Sequence, residues 1–130
     1  MKKLWVSRDI DAPQAVVWEL LTDPKYWPEW GPSVRRAEVD DDRLRKGARG
    51  KVTTVLGLDV PFEITEFDEG VRWTWKVAGV SATDHTVESL EPARCRVAFG
   101  VPWPAAPYLA VCRLALERIE CMAEAKKVSS

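Results

Sequence analysis

His85 is the only histidine in this chain of 130 residues, so a histidine-based metal site or a Cys–His nucleophile pair would have to use it. A lone imidazole can exchange one hydrogen bond with a ligand carbonyl or act as a general base. The competing reading is a buried ring satisfied by a neighbouring hydroxyl or backbone group. Trp73, Trp75, Trp103 and Tyr108 form the next group. Their rings can stack on an aromatic or polycyclic ligand while the indole N–H and phenol O–H groups orient it. The same rings can equally be core, although Trp103, set between Pro102 and Pro104, suits a gate. Cys112 reads as a small buried hydrophobe on the apolar face of the final helix, with neighbouring Arg113 on the opposite face. Glu63, Glu66 and Asp68 make no convincing catalytic pair, and the basic Arg43, Arg45, Lys46 and Arg49 are largely cancelled by Asp40 to Asp42.

The sequence contains no phosphate-binding loop, dinucleotide fingerprint, HExxH or GxSxG, so no cofactor is expected. Cys95, Cys112 and Cys121 lack metal-ligand spacing, and their odd number suits a reduced, cytoplasmic protein. Nineteen basic and twenty acidic residues leave a formal charge of −1, which supplies no electrostatic pull toward nucleic acid or an anionic membrane. With 46% hydrophobic and 30% charged residues the chain reads as globular, and its length suits one domain over residues 1–130. The start, "MKKLWVSRDIDAP", reaches Arg8 and Asp9 before any apolar run and is not expected to be a signal peptide. The uncharged run from Val97 to Cys112 is short and broken by prolines, so integral membrane association is not expected either.

These side chains must be positioned by elements that the hydrophobic period predicts. "KKLWVSRDI" alternates as a strand. "DAPQAVVWELLTD" reads as a helix with Asp11 as its cap, Gln14 completing a capping box and Val17, Leu20 and Leu21 on its apolar face. "PKYW" follows as a short second helix that Pro28 should end. From Ser33 the period is two. "SVRRAEV", "KVTTVLG", "PFEITEF", "VRWTWKV", "TDHTVESL" and "RCRVAFGV" read as six strands. "DDDRLRKGARG" is expected to be a solvated connection, and "LDV" with Pro61 a turn. A final helix is predicted from Tyr108 to about Ala125. Its apolar stripe would be Tyr108, Val111, Cys112, Ala115, Ile119 and Met122, with Arg113, Glu117, Glu120 and Glu124 opposite.

Alternation puts Phe62 and Ile64, Trp73, Trp75 and Val77, His85 and Val87, and Cys95, Val97 and Phe99 on the face that should look toward the final helix. The small residues in the middle of the helix stripe leave two options. Either the aromatic rings fill the space, or a cavity remains.

"IDAPQAVVWELLTDPKYWPEWGP", "KGARGKV", "FEITEFDEGVRWTWKV", "HTVESLEP" and the C-terminal helix together resemble the START-like (SRPBCC) superfamily, and within it the small polyketide cyclase/dehydrase-type proteins. The resemblance covers essentially the whole chain. Its most specific marks are the I-x-A-P-x-x-V-W run at the first helix and the pair Trp27 and Trp30. It implies an α+β helix-grip fold: a seven-stranded antiparallel sheet curved around a long C-terminal helix, with two short helices after the first strand and a hydrophobic cavity between sheet and helix. That fold hosts lipid carriers, receptors, cyclases and chaperone activators, so function has to come from the site.

Three functional readings follow. The first is a non-catalytic binding protein, monomer or homodimer, for a lipid, isoprenoid or polyketide-like molecule. Trp27, Trp30, Phe62, Trp73, Trp75, His85, Val87, Phe99, Trp103, Tyr108 and Cys112 would form its site. The second is an aromatase/cyclase-like enzyme with His85 as the acid–base group. The third is a protein-interaction domain that uses tryptophans exposed at the two-helix end.

Overall fold

The computed structural model describes residues 2–129, with side chains through residue 126. Seven strands form one antiparallel sheet: β1 (Lys3–Ile10), β2 (Val34–Val39), β3 (Arg49–Thr54), β4 (Asp59–Asp68), β5 (Arg72–Val77), β6 (Val80–Glu91) and β7 (Arg94–Pro102). Their order is β1-β7-β6-β5-β4-β3-β2, so the first strand lies beside the last and β1 and β2 are the edges. α1 (Gln14–Thr22) and the short α2 (Trp27–Trp30), joined by a 3-10 turn at Pro24–Tyr26, follow β1. The long α3 (Leu109–Ser129) packs on β1 and β7 and meets α1 and α2. This is the helix-grip arrangement expected.

α1 forms because Val17, Leu20 and Leu21 recur at helical spacing and are fully buried. The expected capping box is absent. The helix begins at Gln14 with extended Pro13 as its cap, which puts Gln14 in the first turn, too early to reach back. Its side-chain amide instead donates to the Gly70 carbonyl at the β4–β5 turn. At the other end, α1 leaves carbonyls without intrahelical donors. Trp27 Nε1 donates to Leu21 O at 2.9 Å and Trp30 Nε1 to Leu20 O at 2.8 Å. α2 therefore caps α1 with two indoles while pressing their rings into the core.

Four further expectations are corrected. The charged β2–β3 connection is not wholly solvated: Leu44 and Ala48 are buried, and Gly47 N–H and Ala48 O pair with Ile64 of β4. Pro61 lies within β4, where its carbonyl accepts from Ala78 N and its missing N–H is not needed. The residues before α3 coil as a 3-10 helix, Trp103–Tyr108, because Pro104 and Pro107 supply no N–H for an α-helical ladder. The buried stripe of α3 is Cys112, Ala115, Leu116, Ile119 and Ala123. Leu116 and Ala123 join the stripe, Tyr108 precedes the helix, and Val111 and Met122 are only partly buried. The half-buried Glu120 accepts from Arg8 Nε at 2.8 Å.

On the outer face, Asp84 is 1% exposed and binds Thr74 Oγ1 at 2.6 Å and the Lys3 ammonium. The Trp5 indole lies flat enough on Gly100 that a Cβ there would stand 2.8 Å from the ring. That cluster ties β1, β5, β6 and β7 together from outside. Among the described residues, no helix is long and apolar enough to cross a membrane.

Candidate functional site

A β-bulge between Thr74 and Lys76 borders the site. Thr74 pairs with Asp84 and Lys76 with Ser81, so Ala82 and Thr83 together face Trp75. A bulge bends the strand and re-aims a side chain. Alternation from Trp73 and His85 carries Trp75 and Thr83 to the concave side, and the bulge bends the two strands beside them.

Two adjoining cavities lie on the concave side of the sheet, the inner one against α3 and the outer one against the 3-10 segment that precedes it. The inner one holds about 40 Å³ and is lined by Trp27, Trp30, Trp75, Thr83, His85, Phe99, Tyr108 and Cys112, among others. The outer one holds about 320 Å³, at the lower end for a small-molecule site. Val52, Val60, Val77, Ser81, Val101 and Ala105 help to form it. Ser33, Val34, Trp75, Thr83 and Tyr108 border both, so the two form one funnel that narrows to His85. No Asp, Glu, Lys or Arg lines either part.

His85 is 2% exposed and stacks on Trp73 at 3.8 Å between ring centroids. Its Nδ1 is 3.2 Å from Trp73 O. A carbonyl only accepts, so Nδ1 carries the proton and Nε2 is left as an acceptor. Burial lowers the pKa to about 3, against smaller upward effects of that carbonyl and of Asp84. The ring is neutral at physiological pH. Cys112 is a buried thiol whose pKa burial raises to about 11, so it is not a nucleophile. Tyr108 and Ser33 hydroxyls meet at 3.0 Å and bridge the start of α3 to the start of β2.

The sequence-predicted residues divide into three sets. Trp27, Trp30, Trp75, His85, Phe99, Tyr108 and Cys112 come together around the inner cavity. Phe62, Trp73 and Val87 are buried behind it, with Phe62 5.3 Å from Trp75 and Trp73 stacked on Trp27 at 5.3 Å. Trp103 is 60% exposed and borders neither cavity. Thr83, Val60 and Val52 escaped the sequence reading. Period two, run back from His85 and from Phe62, would have found the first two; no local signal marks Val52.

Two polar atoms here have no partner. The buried Nε1 atoms of Trp73 and Trp75 make no hydrogen bond, although buried indole N–H groups usually find one. Among the described residues no three His, Cys, Asp or Glu side chains gather as a metal site.

A curved sheet gripping a C-terminal helix over an uncharged funnel defines a START-like α+β protein, a ligand-binding or cyclase-like fold. The chain belongs to the family of polyketide cyclase / dehydrase and lipid transport proteins, whose sequence model matches residues 1–124. Solved structures resemble it closely in fold. XoxI from Bacillus cereus has a TM-score of 0.73 at 14% identity, covering 95% of this chain and 96% of that one. The di-domain ARO/CYC BexL from the BE-7585A biosynthetic pathway has 0.73 at 16%, covering 92% of this chain and 45% of its own. Ms6760 from Mycobacterium smegmatis has 0.68 at 21%, covering 95% and 92%. At these identities the likeness speaks for the fold alone. No curated protein matches by sequence.

Proposed function

We propose that this protein binds an uncharged apolar or aromatic small molecule, lipid-, isoprenoid- or polyketide-like, in the funnel between sheet and α3. One observation carries the reading: a funnel free of charged side chains is bordered by Trp75, whose indole N–H has no partner. A ligand carbonyl would relieve that donor, while apolar burial supplies most of the affinity. Each 100 Å² withdrawn from water contributes about 2.5 kcal/mol before entropic costs. The absence of a lining cation argues against a carboxylate held in the funnel, since an unpaired buried charge is expensive.

The cyclase reading has weaker support. A general base works best with a pKa near the operating pH, and the His85 pKa of about 3 suits an acceptor that orients a hydroxyl.

The test is fluorescence titration with 6-propionyl-2-(dimethylamino)naphthalene, a neutral planar aryl ketone whose emission shifts blue on leaving water. Saturable binding with a blue shift is expected. Val77→Trp, which fills the outer cavity from a half-buried position, should weaken it at least tenfold while circular dichroism stays unchanged. Probe binding that ignores Val77→Trp would sink the proposal.

A further inference from the structure

The two ends of the sheet differ in chemistry. Antiparallel order puts the β3–β4 and β5–β6 connections, the start of β2, the end of β7 and the start of β1 at one end. The outer cavity has its lining there, with Thr54, Val77, Ser81, Pro102 and Ala105. The connections at this end are "GPS" before β2, "VLGL" between β3 and β4, "AG" between β5 and β6, and "WPAAPY" before α3. None contains a charged residue. At the far end the β2–β3 connection alone reads "DDDRLRKGA".

Six of the nine exposed large hydrophobics among the described residues belong to the cavity end: Val55, Leu56, Leu58, Val80, Trp103 and Tyr108. Leu56 is 83% and Val80 67% exposed. Single exposed apolar residues need no explanation, but a convergent set does. The flanking strand ends are basic. Lys2, Arg35, Arg36 and Lys76 are exposed there, while Asp59 is engaged by Thr53 and Lys51.

We propose that this end seats on an anionic lipid surface, with Leu56, Leu58, Val80 and Trp103 at the headgroup–acyl boundary and the basic strand ends against lipid phosphates. Separate apolar tips around an opening suit a deformable interface, and tryptophan favours that depth. A second copy of the chain fits less well, because two-fold contact would set one basic collar against another. The funnel would then open toward the bilayer, the natural reservoir for an apolar ligand. That last step rests on the proposed binding function; the docking itself does not.

Flotation with vesicles separates the possibilities. The folded protein should float with phosphatidylcholine vesicles containing phosphatidylglycerol as the minority lipid, more weakly with phosphatidylcholine alone, and less at high salt. Leu56→Asp with Leu58→Asp should reduce partitioning at least tenfold. Lys76→Glu and Arg35→Glu should each reduce it about fivefold or more, the equivalent of about 1 kcal/mol per basic residue. All four positions are exposed, and unchanged circular dichroism would confirm folding. No flotation of the wild type, or flotation indifferent to these substitutions, would overturn the proposal. So would concentration-dependent dimerisation in light scattering that Leu56→Asp abolishes in place of flotation, since it would assign the surface to self-association. Probe binding in the funnel without flotation would remove the docking and leave the binding function standing.

Discussion

The two tryptophan pairs of the core have the same side chain and opposite hydrogen-bonding states. Trp27 and Trp30 give their N–H groups to the last carbonyls of α1, so their rings and polar atoms serve one purpose, the closure of the two-helix end. Trp73 and Trp75 pack against the same aromatic cluster, yet their N–H groups have no partner. A buried donor left unmade costs about 1–3 kcal/mol. The first pair spends its chemistry on stability. The second leaves its N–H groups unmatched in the core, and in the binding function proposed above a ligand acceptor would pair with that of Trp75.

The largest test of this contrast is Trp27→Ala. It removes a ring that is 1% exposed and leaves Leu21 O unpaired, so chemical denaturation should show a loss of about 3–5 kcal/mol. A loss under 1 kcal/mol would mean that the two-helix end is not structural.

Next in size is the pH dependence carried by His85, the ring stacked on the sheet pair. Its folded pKa, about 3, lies below the unfolded value of about 6.5. The unfolded chain therefore binds more protons between those limits. Stability is complete above pH 6.5 and is lost as pH falls toward 3. Urea titrations should show about 2 kcal/mol of this loss between pH 7 and pH 5, and His85→Gln should flatten it. An unaltered slope in that variant would assign the titration elsewhere.

A direct comparison pairs Trp30→Phe with Trp75→Phe. Both lose similar ring volume, but only the first breaks a hydrogen bond, so it should cost about 1–2 kcal/mol more. In the aryl-ketone titration the order should reverse, with Trp75→Phe binding about fivefold more weakly. Equal effects in both assays would erase the distinction.

The smallest change touches neither pair. Ala78 has φ +54° and Gly79 φ +78° in the two-residue turn that closes β5 onto β6. Such a turn favours Asn-Gly. Ala78→Asn should raise stability by about 0.5–1 kcal/mol and leave probe affinity unchanged, which shows that the binding assay does not simply follow stability.

Much of this architecture was legible in one dimension. Period two assigned Phe62, Trp73, Trp75, His85 and Phe99 to one face, because alternation is a property of the strand itself. A short helix closing the end was legible in "DPKYWPEWGP", but its bounds were not. It runs Trp27–Trp30 with Pro28 in its first turn, where a missing N–H costs nothing, and does not stop at Pro28. Misreadings arose where a distant partner decided the outcome. Gln14 turned to Gly70 and abandoned the cap, and Leu44 was drawn out of a charged run into the core. Thr83 was missed differently: alternation from His85 turns it inward, but only the tertiary structure shows the cavity it borders.

The sequence alone determined the sheet–helix order, the family resemblance and the inward aromatic set, since periodicity, turn chemistry and capping act over a few residues. Tertiary structure decided how much space remains between those aromatics and α3, and which N–H groups are satisfied. It also decided that four uncharged connections, far apart in the chain, meet at one end. Packing volume and hydrogen-bond pairing depend on side chains that strand register and helix docking bring together, and no local pattern encodes those distances.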